Sequence, residues 1–221
     1  MSVIYSEAAK TLLCSGLAEL DLSCDDEQVA QLQHYLTLLC RWNKAYNLTA
    51  IKDPIDMIKL HIFDSLSVSK YLESRRFIDV GTGPGLPGIP LAIVNPDKFF
   101  SLLDSNGKKT RFLFQVKTQL RLDNIEELNI RVEDFVPAEK YDGVLSRAFS
   151  SLSDMLCGCG HLLTDGGCFY AMKGKLDGEE LDCLPIQYVV KKTYPLRVPG
   201  VKADRHLVKI VHTDEGKTIV G

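Results

Sequence analysis

The sequence predicts an α/β fold: a mostly parallel sheet of seven strands, one antiparallel hairpin at its edge, and a helical segment ahead of it. From Phe77 onward, short apolar runs alternate with helical stretches, the pattern of a parallel sheet covered on both faces. The last two runs, 188–194 and 206–211, have no helix between them, so they pair as a hairpin, with Gly200 in the reversal. The first seventy residues carry helical periodicity only.

A helix is expected from Asp25, where Val29, Leu32, Leu36, Leu39 and Cys40 fall at helical spacing and Gln28 completes a capping pair with Asp25. A second helix starts at Asp53-Pro54 and runs to about Leu72. Asp53 accepts an orphan amide there, and Pro54 has no amide to leave unpaired. Strands are expected at 77–80, 99–104, 127–132, 143–146, 167–172, 188–194 and 206–211, with helices at 87–94, 107–120 and 151–163. Residues 1–72 then form a helical extension packed on a main domain of residues 73–221.

A chain of 221 residues suffices for one well-buried domain, and 45% hydrophobic with 25% charged residues excludes a disordered or fibrous protein. No apolar run is long enough for a membrane span. The opening MSVIYSEAAK, with Glu7 early and no apolar core, does not read as a secretory signal, so a cytoplasmic location is expected. Net charge is −3, but the first forty residues are acidic and those after Tyr188, Lys217 included, are basic, which allows a local anion-binding face. Seven irregularly spaced cysteines read as ordinary thiols. Cys157, Cys159 and His161 in CGCGH have no second ligand pair at zinc spacing, so no metal is expected.

The chemistry starts in FIDVGTGPGLPGIP, a strand running into a turn with Gly81, Gly83 and Gly85. Such turns after a first parallel strand let a ligand approach the backbone. Asp79, two residues before Gly81, would repel a pyrophosphate and attract the amine and sulfonium of S-adenosyl-L-methionine. Leu86 stands where the dinucleotide fingerprint wants Gly or Ala. Asp104, closing FFSLLD, is placed to accept both ribose hydroxyls of an adenosine, whichever cofactor carries it. Tyr188 and Lys192 have the spacing of a short-chain dehydrogenase pair, but YVVKK reads as a strand, in which four residues span roughly 13 Å.

The methyl acceptor should lie beyond the fourth strand, at Ser146-Arg147-Ala148. No Asn/Asp-Pro-Pro-aromatic turn for an exocyclic amine is present, and no cysteine nucleophile stands near this site. An acceptor that is already nucleophilic, such as guanine N7, fits; no general base is then required. Arg147 would clamp cofactor or base, and Lys173 would meet a phosphate.

The segments RWNKAYNLTAI, HIFDSLS, FIDVGTGPGLPGIPLAIV, SRAFSSL and RHLVKI, in this order, resemble the RsmG (GidB) family of bacterial small-subunit ribosomal RNA methyltransferases, which methylate guanine N7. The resemblance covers residues 35–173 and 203–211 and implies a Rossmann-like class I S-adenosylmethionine methyltransferase fold. It implies that Gly81 to Leu86 surround the methionine part of the cofactor and that Asp104 holds the ribose. Val132 and Glu133, ending the third strand, would border the adenine, and Arg147 would close the pocket at the transfer site. Asn47, Leu48, Thr49, His61, Asp64 and Ser65 would line the RNA side, with Lys173 and Arg205 nearby. The partner would be 16S rRNA, or the small subunit or an assembly intermediate; the sequence leaves the oligomeric state open, with a monomer expected. An NAD(P)-dependent oxidoreductase and a non-catalytic ribosome assembly factor are the alternatives.

Overall fold

The computed structural model describes residues 6–147, 149, 151–176 and 178–213; Ala148 and the charged residues from 214 on lie outside the described residues. Helix α1 (Glu7–Glu19) is capped by Ser6, whose hydroxyl accepts from the Ala9 amide. Helix α2 (Asp26–Tyr46) opens on the expected Asp25–Gln28 pair, formed as a reciprocal capping box, and closes at Asn47 in the left-handed region with φ 49°. Asp53 then caps α3 (Pro54–Met57) with two amide contacts.

From there the chain departs from the regular helix expected to Leu72. A π-helical stretch, Ile58–Phe63, leads into α4 (Asp64–Leu66) and a 3-10 turn at Ser69–Tyr71. A π turn inserts an extra residue, which a 3.6-residue period in the sequence does not reveal.

The sheet comprises β1 (Arg76–Val80), β2 (Phe99–Leu103), β3 (Ile125–Leu128), β4 (Tyr141–Ser146), β5 (Leu163–Lys173), β6 (Tyr188–Pro195) and β7 (His206–His212). Between them lie α5 (Gly88–Val94), α6 (Gly107–Leu120), α7 (Leu152–Cys159) and α8 (Gly178–Asp182). Strand order is β3-β2-β1-β4-β5-β7-β6, with β7 antiparallel to both neighbours and the other pairs parallel. The order reverses between β1 and β4, the place where open α/β sheets hold their ligands.

Strand β3 corrects the expected 127–132. Its last ladder bond is Asp104 N–H to Leu128 O, after which the Asn129 side chain donates to the Asp104 carbonyl and the chain leaves the sheet. Val132 and Glu133 therefore sit in a 3-10 turn, Val132–Asp134, and not at a strand end. Helix α7 stops at Cys159, short of the expected 163, in a stretch where Gly158 and Gly160 lower helix propensity.

Two apolar clusters cover the two faces of the sheet. One joins Leu13, Leu32, Tyr35 and Leu36 of the first two helices to Phe77 and Phe100, whose rings stack 5.2 Å apart. The other packs α7 through Leu152, Met155 and Leu156 against Ile78, Val144 and Phe169. Among the described residues, no helix is long and apolar enough to cross a membrane.

Candidate active site

Two clefts flank the carboxyl end of β4. The first, of about 340 Å³, lies over the ends of β1 and β2, where Gly81 and Asp104 meet Val132, Glu133 and Phe149. Its rim is the glycine turn. The Gly81 and Thr82 amides donate to Leu103 O, tying the turn to the next strand. Gly81, Gly83 and Gly85 all have positive φ. At Gly85 a Cβ would also collide with Ile89, whereas at Gly83 it would meet only Lys109 Nζ, 4.0 Å away, so the backbone there faces open space.

Asp104 is the hub of this cleft. Its Oδ2 accepts from the Gly83 amide at 3.0 Å and from Lys109 Nζ at 3.1 Å, and Oδ1 accepts from the Asn106 amide at 2.9 Å. Three donors fix one carboxylate at the cleft floor.

Asp79 corrects the sequence reading. It is fully buried behind the turn, where Oδ2 accepts from Thr82 Oγ1 at 2.6 Å and from the Gly88 amide at 2.8 Å. It holds the turn to α5 and does not face the cleft. Burial pushes its pKa up to about 6, against the opposing pull of those two donors and of Arg147. Leu86 likewise points into the core. From the other side, the buried Tyr35 hydroxyl donates to Pro84 O at 2.8 Å.

The second cleft, about 430 Å³, lies on the other flank of β4, between the π stretch, the ends of β5 and β7, and Leu196. Asp64 organises it. One carboxylate oxygen accepts from Arg147 Nη1 at 3.0 Å and the other from Arg205 Nε at 2.7 Å. Both arginine side chains keep about a quarter of their surface exposed, so the pair presents cationic surface to solvent over a buried anion.

His61 lines the same cleft without bonding Asp64, although the two are three residues apart. Its Nε2 faces Thr49 Oγ1 at 2.9 Å. Burial, helped by the nearby Arg147 charge, lowers its pKa to about 4, so it is neutral at cellular pH. Thr49 is fixed in turn by its amide donating to Asn43 Oδ1. Lys173 lines the cleft and pairs with Glu180 of α8 at 2.8 Å.

Gly81, Asp104, Val132 and Glu133 thus gather at the first cleft, with Gly83 beside Asp104, whereas His61, Asp64, Arg147, Lys173 and Arg205 gather at the second. Ser65 is a further correction: it is fully buried and does not reach either cleft. Asn47 caps α2 on the surface, and Leu48 is buried. Sequence reasoning missed Lys109 and Phe149. The signal for the first was its place in the helix that follows Asp104; for the second, its position two residues after Arg147. The dehydrogenase spacing at Tyr188 lies in β6, and the Tyr188 hydroxyl is directed at Leu156 O. In CGCGH, Cys159 is buried, Cys157 is exposed, and His161 Nε2 lies 3.1 Å from Phe135 O.

A family model described as rRNA small subunit methyltransferase G matches residues 28–208. The Ribosomal RNA small subunit methyltransferase G of Shewanella frigidimarina (strain NCIMB 400) is 54% identical over 194 residues, which is 88% of this chain and 94% of that protein. Its namesake from Shewanella baltica (strain OS155 / ATCC BAA-1091) is 54% identical over 195 residues, 88% of this chain and 95% of that protein. Among solved structures, a SAM dependent methyltransferase from Aquifex aeolicus superposes with a TM-score of 0.55 at 16% identity, covering 69% of this chain and 92% of that one. TrmN from Thermus thermophilus gives 0.54 at 17% identity, with 78% and 52% covered. At such identities the likeness shows the fold.

Proposed function

The chain belongs to the rRNA small subunit methyltransferase G family, and from that premise we propose that it transfers the methyl group of S-adenosyl-L-methionine to N7 of one guanine in 16S rRNA. The observation that carries this reading is the pair of clefts lined by the residues just beyond β4, Phe149 in one and Arg147 in the other, the first floored by a carboxylate and the second rimmed by arginines.

The first cleft fits the donor. Asp104 stands where ribose hydroxyls need an acceptor, the open Gly83 backbone leaves room for the methionine part, and Val132 and Phe149 supply apolar walls for an adenine. When bound, the donor supplies an electrophilic methyl on a positively charged sulfur. Guanine N7 has a free lone pair, so no side chain must first remove a proton, and neutral His61 need not act as a base. Bond making at N7 accompanies loss of the carbon–sulfur bond. The contribution of the chain is alignment, which is worth roughly 7–11 kcal/mol in the best intramolecular models.

Arg147, held by Asp64 in the second cleft just beyond β4, orients the base. Arg205 and Lys173 meet the RNA phosphates, for which Lys173 exchanges Glu180. The setting we assign is the cytoplasm, on the small subunit or an assembly intermediate. Labelled methyl should enter small-subunit RNA that lacks this modification, and mass mapping should place it on one guanine at N7. Incorporation at another atom, or none, overturns the reading.

A further inference from the structure

On the surface formed by α2 and α6, away from both clefts, a groove of about 370 Å³ is bordered by Arg41, Trp42, Tyr46, Gln115 and Gln119. The charge around it is one-sided. No Asp or Glu occurs from residue 28 to 52 or from 105 to 122, in a chain whose net charge is −3. Lys109 and Lys117 are paired, with Asp104 and Glu127. Arg41, Lys44, Lys108 and Arg111 are exposed and make no ion pair among the described residues.

Aromatic surface is interleaved with these cations. Phe114 is 58% exposed and Tyr46 46%. Phe114 stands three residues after Arg111 on α6, and Gln115 four residues after it, so the three share a helix face. The α2 edge of the groove leads toward the acceptor side. Helix α2 ends at Asn47, two residues before the Thr49 that holds His61, and Arg41 lies only about 9 Å back along the helix axis.

We propose that this groove binds a second, single-stranded stretch of the substrate RNA, its phosphates on the unpaired cations and its bases stacked on Phe114 and Tyr46. The inference rests on the proposed RNA substrate and adds a docking face to it. Cations without carboxylates match a phosphodiester backbone, and exposed rings match bases that no duplex hides.

The test measures affinity of the full chain for an unmodified small-subunit RNA transcript across a salt series. Arg41→Ala and Arg111→Ala should each lower the slope of log affinity against log salt by about 0.7. Phe114→Ala should weaken binding about fivefold or more at an unchanged slope. Equal affinities and slopes in all three would overturn the proposal. These side chains are exposed, and thermal melting checks that each variant folds. A photocrosslinking phenylalanine analogue at position 114 should label RNA in intact unmodified subunits; label on ribosomal protein alone, or none, would also overturn it. Methyl transfer by the unaltered protein to the same transcript reports separately on the proposed function, so the two can fail independently.

Discussion

The cleft assigned to the donor and the one assigned to the acceptor are lined by Phe149 and Arg147, both just beyond β4, yet they are built by different means. In the first, backbone amides do most of the holding: those of Gly81, Thr82, Gly83 and Asn106 are all committed to neighbouring strand ends or to Asp104. In the second, long side chains from two distant segments, Arg147 and Arg205, converge on one buried carboxylate, Asp64. A backbone-built site is stiff before its ligand arrives. A site made of guanidinium and ammonium groups, held by the ion pairs to Asp64 and Glu180, can change partners when a polyanion enters. That division suits a small donor of one shape and a large, variable acceptor.

The largest effect should follow from breaking the acceptor side at Arg147. Arg147→Ala should reduce methyl transfer about a thousandfold, read as labelled methyl in RNA, with donor binding by calorimetry little altered. Full activity would erase the distinction between the clefts.

Acid titration sharpens the contrast. The folded-state pKa of His61 is about 4, below its ordinary 6.5, so its stabilising contribution is complete above pH 6.5 and lost as pH falls toward 4. That of Asp79 is about 6, above 3.8, so its contribution is complete below pH 3.8 and lost as pH rises through 6. Each amounts to about 3 kcal/mol at most, and in the unaltered protein they oppose each other. His61→Gln should leave melting temperatures that fall from pH 4 to 6.5, and Asp79→Asn should leave temperatures that rise. Parallel profiles in calorimetric scans would refute this.

Asp104→Asn should weaken donor binding about tenfold through the ribose contact, leaving RNA affinity unchanged. Smallest of all, Thr49→Val removes the hydroxyl that faces His61 and accepts the Ile51 amide. It should cost about 1 kcal/mol, a melting shift of about 2–4 °C.

The same contrast explains what the sequence made legible. The donor cleft comes largely from consecutive residues, in which strand, glycine turn, second strand and acid are local and carry their own geometry. Asp104 and the turn could therefore be read directly, as could the caps at Asp25 and Asp53. The role of Asp79 could not, because a carboxylate at the end of a strand reads the same whether it points outward or backward. Arg147 and Arg205 reach Asp64 across 83 and 141 positions, which no local pattern connects. Only the family resemblance placed those residues together, and it still put the buried Ser65 on the RNA side. The π stretch and the early end of β3 were hidden for a related reason: one depends on a single inserted residue, the other on a side-chain amide bonding to a neighbouring strand.

The phenol of Tyr35 has a consequence for anyone trimming this chain. Cutting away the leading helices to isolate a minimal catalytic core would strip Pro84 of the hydroxyl that braces it and open the apolar floor beneath β1 and β2 to water. A fragment starting at the sheet would keep the glycine turn and Asp104 yet lose the buttress behind that cradle.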